Sequence, residues 1–161
     1  MAIQYVTGDA TAPLGSGPRV LVHVCNDVGK WGKGFVLAIS RRWKLPEQQF
    51  KAWYRGETGR SFALGEVQFV EVERAFWVAN LVGQRGLASK HRGEPAVRYE
   101  AVRGGLAKVR GHALAERASV HMPRIGCGLA GGRWNEIEPI IESELSMHGV
   151  DVNVYDIGTV R

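Results

Sequence analysis

The sequence is poor in cysteine, because only Cys25 and Cys127 occur among its 161 residues. Two cysteines form neither a disulfide framework nor a set of metal ligands, and they favour a reducing compartment, the cytoplasm. The sequence also lacks internal repeats, low-complexity tracts and any apolar run of membrane-spanning length. Its first residues show no basic segment followed by an apolar one, so no secretion signal is predicted.

What is present is the composition of an ordinary globular protein with a basic balance. Hydrophobic residues make up 45% of the chain and charged residues 23%, and the formal net charge is +5. This length allows a core of useful size, so we expect one domain over residues 1–161. The net charge favours anionic partners, although basic clusters such as residues 41–44 are also typical of a solvated surface.

Hydrophobic periodicity predicts an α/β protein. Strands are predicted at residues 3–7, 19–24, 66–72, 76–82, 119–122 and 150–157. Helices are predicted at residues 35–43, 46–54 and 135–147, and a long helix is predicted to begin at Pro95. The pair Gly104-Gly105 either weakens this long helix or lets another element pack closely against it. Because strands alternate with helices after about residue 66, we expect a largely parallel sheet covered by helices on both faces.

A glycine-rich run follows the strand predicted at residues 119–122. Residues 122–134 read MPRIGCGLAGGRW, with four glycines in seven residues. Such a turn before a helix lets backbone N–H groups approach a phosphate, but it is also compatible with a merely tight turn. The run does not fit the P-loop or G-x-G-x-x-G motifs. Glycine-rich loops at 29–34 and 83–86 also follow strands, so we expect all three to converge at one edge of the sheet.

Three ordered motifs resemble those of macro domains. They read VTGDA at residues 6–10, VHVCN at 22–26 with GKG at 32–34, and PRIGCGL at 123–129. The resemblance extends from about residue 3 to residue 157. It is greatest to the branch of terminal ADP-ribose protein glycohydrolases and of antitoxins that remove ADP-ribose from DNA. It implies a three-layer α/β/α fold with a mixed, largely parallel sheet of about six strands, ADP-ribose as ligand, and neither metal nor cofactor.

The resemblance also implies ligand-binding residues. Asp9, with Gly8 and Ala10, matches the aspartate that accepts a hydrogen bond from the adenine amino group, although aspartate here is also typical of a turn. Asn26 matches a polar residue near the distal ribose, with a turn role as the alternative. The two phosphate loops and the segment closing over the adenine supply the other candidates: Trp31, Gly32, Lys33, Gly34, Phe35, Gly126, Cys127, Gly128, Leu129, Ala130, Gly131, Tyr155, Asp156 and Ile157.

The sequence departs from the glycohydrolase branch at its two reactive positions. There a lysine attacks the sugar C1″ and an aspartate in the glycine-rich loop assists. Gln84 and Ala130 occupy these positions here, and glutamine is not nucleophilic, so a Schiff base at residue 84 is excluded. Lys90 of the same loop is an alternative lysine, although the register argues against it.

Hydrolysis by a bound water remains compatible with the sequence. We expect Asn26 to contact the ribose and Gln84 or Arg85 to orient the water or the leaving group. Asp27 is either a base or a turn residue on the surface.

Several other side chains have two interpretations. Cys127 is either a nucleophile at a helix start or a small residue that lets the loop pack. His23 and His121 lie in apolar strands and are typical of core histidines, and Trp31 is a candidate for stacking on a base or sugar.

The sequence thus predicts a monomeric, bacterial-type mono-ADP-ribosyl hydrolase of the DNA damage response. Its expected substrates are ADP-ribose esters on acidic residues of proteins, or ADP-ribosylated nucleobases in DNA. The alternatives are a non-catalytic ADP-ribose reader and an ADP-ribose 1″-phosphate phosphatase, which would share the same pocket.

Overall fold

The computed structural model describes residues 2–87 and 94–157. The strands are Gln4–Thr7 (β1), Arg19–Asn26 (β2), Val67–Glu73 (β3), Phe76–Gln84 (β4), Ser119–Met122 (β5) and Val152–Asp156 (β6). They form one sheet in the order β1-β6-β5-β2-β4-β3. All neighbouring strands are parallel except β3 and β4, which are antiparallel. The mixed, largely parallel sheet expected from the sequence is therefore confirmed.

Helices cover both faces of this sheet. They are Phe35–Arg42 (α1), Leu45–Tyr54 (α2), Tyr99–Glu116 (α3) and Trp134–Glu144 (α4), with short 3₁₀ helices at Gly128–Ala130 and Ser146–His148. Apolar residues of α1 and α2 pack in one core and those of α3 and α4 in another. The sheet separates the two cores, which makes the three layers that the sequence predicts.

Strand β2 shows why this fold is specified by a continuous apolar run. Leu21 and Cys25 belong to the core under α1 and α2, whereas Val20 and Val22 belong to the core under α3 and α4. Successive side chains of a strand point to opposite faces, so a strand covered on both sides must be apolar at nearly every position. The run VLV at residues 20–22 meets this requirement.

The start of the third helix was predicted wrongly. The helix begins at Tyr99 rather than at Pro95. Residues 96–98 are instead bound by backbone hydrogen bonds to two loops: the N–H of Arg85 donates to the O of Ala96, and the N–H of Val97 to the O of Ala130. These bonds need an extended backbone, and tertiary contacts of this kind override local propensity.

The glycine pair of α3 supplies a test of the packing. A Cβ atom on Gly105 would lie 2.4 Å from Cγ of Leu81, whereas one on Gly104 would meet nothing within 4 Å. We expect Gly105→Ala to lower the free energy of unfolding by about 1–3 kcal/mol through overpacking. Gly104→Ala should raise it by about 0.5–1 kcal/mol, because alanine is the better helix former. Urea unfolding of both variants measures this, and effects of the same sign would contradict it.

Candidate functional site

A cavity of about 350 Å³ lies at the carboxyl ends of β2, β4 and β5. The loops after these strands meet here because parallel strands end at the same edge of a sheet. The lining residues are His23, Val24, Lys33, Gly34, Phe35, Val36, Gln84, Pro123, Arg124, Ile125, Gly126, Cys127, Gly128, Leu129 and Ala130. Nine of the predicted site residues are among them: Lys33, Gly34, Phe35, Gln84, Gly126, Cys127, Gly128, Leu129 and Ala130.

The glycine-rich loop after β5 forms one wall. Gly126 and Gly128 have positive φ angles of 74° and 66°, and a Cβ atom on Gly132 would lie 2.3 Å from the O of Gly126. The loop closes on itself through hydrogen bonds from the N–H of Gly131 to Gly128 and from that of Gly132 to Gly126. The first amide groups of the 3₁₀ turn that starts at Gly128 have no acceptor within that turn, so they can bind an anion.

The start of α1 forms the opposite wall. Gly34 precedes the helix with φ at 82°, and its O accepts the first bond of the helix, from the N–H of Leu37. The amide groups before Leu37 therefore have no helical acceptor. A Cβ atom on Gly34 would lie 3.9 Å from the Leu129 side chain, so the two walls are in contact range. The start of α1, with its positive end, and the unpaired N–H groups of the 3₁₀ turn thus line one cavity.

The charges of the lining have one sign. Lys33 and Arg124 are lining residues, and none of the lining residues is Asp or Glu. Arg124 donates from Nε and Nη2 to the carboxylate of Asp156, at 2.7 and 2.9 Å, and lies over the rings of Tyr5 and Trp134. These hydrogen bonds hold the pKa of Asp156 below its ordinary value. Because Asp156 offsets the charge of Arg124, the charge of the lining that suits the cavity to an anionic group is that of Lys33, which is in none of the salt bridges between described residues.

Gln84 is held at the end of β4 by its own loop. Its Nε2 donates to the O of Gly86 at 2.9 Å, and the N–H of Gly86 donates to Oδ1 of Asp27 at 2.8 Å. Asp27 is thus engaged in joining the loops after β2 and β4, and it does not line the cavity. Arg85 is exposed and also lies outside the lining.

The side chain of Asn26 stabilises a turn, which is the alternative role that the sequence left open for it. Its Oδ1 accepts hydrogen bonds from the N–H groups of Val28 and Lys30, both at 3.1 Å, and its Nδ2 donates to the O of Lys30 at 2.7 Å. One Nδ2 hydrogen is left for a ligand. Contact with a ribose therefore stays a prediction.

Asp9 combines a turn role with an accessible carboxylate. Its Oδ1 accepts from the N–H and the hydroxyl of Thr11, at 2.8 and 2.7 Å, while its side chain remains 57% exposed. Partial burial raises the pKa of Asp9, but the Thr11 hydrogen bonds and the charges of Arg42 and Arg41 outweigh it and keep the pKa below its ordinary value. Asp9 is therefore an ionised acceptor at neutral pH.

Two aromatic candidates are buried instead of lining the cavity. Trp31 is 7% exposed, packs against His23 and Phe50, and donates from Nε1 to Ser40. Tyr155 is 4% exposed. Stacking of Trp31 on a ligand and closure of Tyr155 over the adenine stay predictions, and direct contact would require either ring to leave this packing. Gly8, Ala10, Gly32 and Gly131 also lie outside the lining.

The titratable groups of the lining are poorly suited to act as a base or nucleophile. His23 lies with Nε2 2.5 Å from Oδ1 of Asn80, and burial lowers its pKa to about 4, partly opposed by that hydrogen bond. Burial also raises the pKa of Cys127, and the charge of Arg124 opposes it only in part. His23 is therefore a neutral core histidine and Cys127 a thiol at neutral pH.

The remaining candidates are spread along the same edge of the sheet. Asp9 follows β1, the glycine-rich loop follows β5, and Gln84 ends β4. In the strand order, β5 stands between β1 and β4. Neighbouring strands are about 4.8 Å apart, so a ligand that reaches from Asp9 to Gln84 spans about 19 Å. The arrangement fits an elongated molecule with an anionic middle.

Some candidates fall outside this description. Lys90, the alternative lysine, lies outside the described residues. Within residues 2–87 and 94–157, no group of three or more His, Cys, Asp or Glu side chains is arranged to hold a metal ion. The helices of this part of the chain are too short or too polar to cross a bilayer.

No model of a protein family matches the chain, but similar proteins are found. The ADP-ribose glycohydrolase OARD1 of Bos taurus is 32% identical over 162 residues, which are 96% of this chain and 91% of that protein. A solved macrodomain protein from Streptomyces coelicolor is 51% identical with a TM-score of 0.85, covering 97% of this chain and 99% of that one.

The chain belongs to the macrodomain family. The macrodomain of Thermus aquaticus DarG is also similar, with 26% identity, a TM-score of 0.71, and coverage of 96% and 97% of the two chains. An ADP-ribose 1″-phosphate phosphatase of Lodderomyces elongisporus is 25% identical over 98% of this chain and 99% of its own. The chain spans only 15% and 18% of two longer relatives, the chromodomain-helicase-DNA-binding protein 1-like proteins of Danio rerio and Mus musculus.

Sequence reasoning missed the residues that hold this macrodomain's site together. Residues 96–98 bond to both the β4 loop and the glycine-rich loop, and Arg42 donates from Nε to the hydroxyl of Thr11 at 2.8 Å. No local pattern marks these residues, because their partners are distant in the chain. Only the run of small and apolar residues at 95–97 hinted that this segment is buried.

The two buried histidines of the macrodomain predict its response to acid. Burial lowers the pKa of His121 to about 4, as it does for His23, and Arg19 adds to the effect at His121. The unfolded chain therefore takes up these protons first as the pH falls from 6.5. The free energy of unfolding should decrease between about pH 6.5 and 4, by about 1.4 kcal/mol per pH unit for each histidine.

Urea unfolding at a series of pH values measures this slope. Burial also lowers the pKa of the half-buried His112, with Glu116 opposing it, so three histidines contribute to the slope. The variant His121→Gln removes one of them and should give a shallower slope. An unchanged slope in that variant would contradict the assignment of part of this pH dependence to His121.

Proposed function

We propose that this macrodomain, acting as a single domain, binds ADP-ribose and hydrolyses its bond to a modified macromolecule. The observation that carries the proposal is the cavity between the start of α1 and the glycine-rich loop, whose lining contains Lys33 and the paired Arg124 but no carboxylate. Backbone N–H groups at helix starts bind phosphate without a side-chain partner. A diphosphate there would leave the adenosine toward Asp9 and the distal ribose toward Gln84.

Asp9 would recognise the adenine end of the ligand. An ionised carboxylate accepts hydrogen bonds and cannot donate them, which suits the exocyclic amino group of adenine. Its Oδ1 is already occupied by Thr11, so Oδ2 is the free acceptor, with Arg42 3.8 Å away. The Thr11 bonds fix the direction in which Oδ2 points.

The reaction would proceed without a covalent intermediate on the protein. Gln84 is not a nucleophile, Cys127 is protonated and no lining side chain is a carboxylate. The oxygen of a water would bond to C1″ while the bond from C1″ to the leaving group breaks. The departing carboxylate or base nitrogen takes the electron pair, and a phosphate oxygen accepts the proton of the water. Positioning is then the main source of acceleration.

Gln84 is the residue we assign to orienting this water or the leaving group. Its Nε2 is bound to the O of Gly86, so the Oε1 is held as a hydrogen-bond acceptor beside the cavity. A water that donates one hydrogen to this Oε1 has a lone pair of its oxygen directed toward C1″. Arg85 and the remaining hydrogen of Asn26 are the further candidates for the leaving group and the ribose.

The macromolecule that carries the ADP-ribose is either a protein with modified acidic residues or DNA with modified bases. Exposed cations favour DNA: Lys30 and Lys33 follow β2, Arg85 follows β4, and Arg133 follows the glycine-rich loop. None of the salt bridges between described residues involves them. Unpaired cations around a cleft can contact the phosphates that flank a modified nucleotide. This would agree with a cytoplasmic role in the DNA damage response.

The second candidate is a reader that binds ADP-ribose without hydrolysis. The absence of a side-chain base among the lining residues favours it. A phosphatase acting on ADP-ribose 1″-phosphate is the third candidate, and it would use the same cavity.

The deciding experiment incubates the purified protein with a glutamate-linked ADP-ribosyl protein and a thymidine-linked ADP-ribosyl oligonucleotide. We expect release of ADP-ribose that is lost in Asp9→Ala and kept in Asp151→Ala, a carboxylate at the opposite end of the sheet. Calorimetry should show ADP-ribose affinity reduced about tenfold or more by Asp9→Ala, because a charge-assisted hydrogen bond is lost. Binding without release would contradict hydrolysis of these two linkages, and phosphate release from ADP-ribose 1″-phosphate would then separate a phosphatase from a reader. No binding would refute the proposal.

The role of Gln84 has its own test. Gln84→Ala should lower kcat on the cleaved substrate by about ten- to a hundredfold and leave ADP-ribose affinity nearly unchanged, because positioning acts mainly on the transition state. Steady-state kinetics beside calorimetry separate the two effects. An unchanged kcat would remove Gln84 from the mechanism.

A further inference from the structure

A buried chain of hydrogen bonds lies beneath the loop that carries Asp9. Nε2 of His121 is 2.7 Å from Oγ of Ser119, and its Nδ1 is 2.8 Å from Oη of Tyr155. The N–H of Leu14 donates to the same Oη at 3.0 Å. His121 and Tyr155 are 2% and 4% exposed. Buried polar groups are costly unless they are paired, so a chain of this kind requires an explanation.

The directions of these bonds are assigned from the partners of each group, since the tautomer of His121 depends on them. Leu14 N–H is a donor to Oη of Tyr155, so Nδ1 of His121 is assigned as the acceptor of the Tyr155 proton. Nε2 of His121 then carries the ring hydrogen and donates to Ser119. In this assignment a neutral His121 holds the Tyr155 hydroxyl in one orientation.

The loop between β1 and β2 depends on attachments of this kind. Residues 8–18 contain no helix or strand. Near Asp9, Arg42 donates to the hydroxyl of Thr11. Farther along, the loop is attached through Leu14 to Tyr155, and through the O of Pro13, which accepts from Nη1 of Arg19 at 3.1 Å. A loop without regular structure is ordered only by such contacts.

We infer that Tyr155, oriented by His121, is a positioning residue for the loop that presents Asp9 to the ligand. The inference rests on the proposed function, because it assigns to this pair the affinity for the adenine end of ADP-ribose. Tyr155 does not line the cavity, so it acts through the loop rather than on the sugar. The start of the loop is attached next to Tyr155, because the N–H of Gly8 donates to the O of Asp156 at 2.8 Å.

The position of Tyr155 and His121 in the sheet determines which kinetic constant these two residues affect. Asp9 follows β1, whereas Gln84, at the proposed reacting end, belongs to β4, four strands away in the sheet order. A loosened Asp9 loop would weaken binding of substrate and transition state alike. Such uniform binding appears in KM and not in kcat.

The test compares Tyr155→Phe with Tyr54→Phe, which removes a hydroxyl from an exposed tyrosine of α2. We expect Tyr155→Phe to raise the Kd for ADP-ribose and the KM about three- to tenfold, the effect of one lost hydrogen bond, with kcat unchanged. Tyr54→Phe should change neither.

His121→Gln, whose amide can accept from Tyr155 and donate to Ser119, should keep more of the affinity than His121→Leu.

A double-mutant cycle separates positioning from general destabilisation. If Tyr155 acts through Asp9, Tyr155→Phe should add little to the loss caused by Asp9→Ala, because contacts in one network are not additive. Additive losses, or a fall in kcat without a rise in KM, would overturn the inference.

Hydrogen exchange distinguishes failure of this inference from failure of the proposed function. In the ligand-free protein, the amides of residues 10–17 should exchange faster in Tyr155→Phe than in the wild type, with the sheet amides unaffected. If the wild type does not bind ADP-ribose, the proposed function fails while exchange still reports on the loop. Unchanged exchange would refute the positioning role whatever the ligand.

Discussion

The site depends on the parallel alignment of five strands. Because β1, β6, β5, β2 and β4 run in the same direction, all five carboxyl ends meet at one edge of the sheet. Asp9, the glycine-rich loop and Gln84 are far apart in the chain, and only this alignment brings their loops together along one line. The order of the strands then sets the order of the groups along the line. An elongated ligand with a charged middle is the shape that this order fits.

Many polar residues at this edge hold the loops in place. Asn26 bonds across its own turn, Asp27 holds the N–H of Gly86, and Asp156 pairs with Arg124. Residues 96–98 add backbone bonds to the β4 loop and to the glycine-rich loop. Carboxylates engaged in this way leave a cavity with a positive lining and rigid walls. That combination favours an anion, and it restricts the chemistry to what positioning and electrostatics can supply.

Membership of the macrodomain family does not decide between hydrolase and reader, because related sites on one fold carry different activities. The side chains of the cavity limit the reaction mechanisms that are available to it. The resemblance to the glycohydrolase branch implies a lysine and an aspartate at the reactive positions, and this chain has Gln84 and Ala130 there. A buried neutral His23 and a protonated Cys127 do not replace them. The reaction proposed here therefore relies on a water held by the substrate's phosphates and by Gln84.

The sequence by itself determined the α/β class, most of the elements and the two loops, at residues 33–35 and 126–130, that line the cavity. Those features depend on local patterns: apolar runs in buried strands, helical spacing, and glycine where φ is positive, as at Gly126 and Gly128. Only the tertiary structure decided that Trp31 and Tyr155 are buried, that Val97 and Arg98 are extended and that Asn26 supports a turn. Each of these outcomes depends on a partner distant in the chain, such as Leu14 for Tyr155 or Ala130 for Val97. Spacing along a sequence carries no information about such partners, because the folded sheet alone brings them into contact.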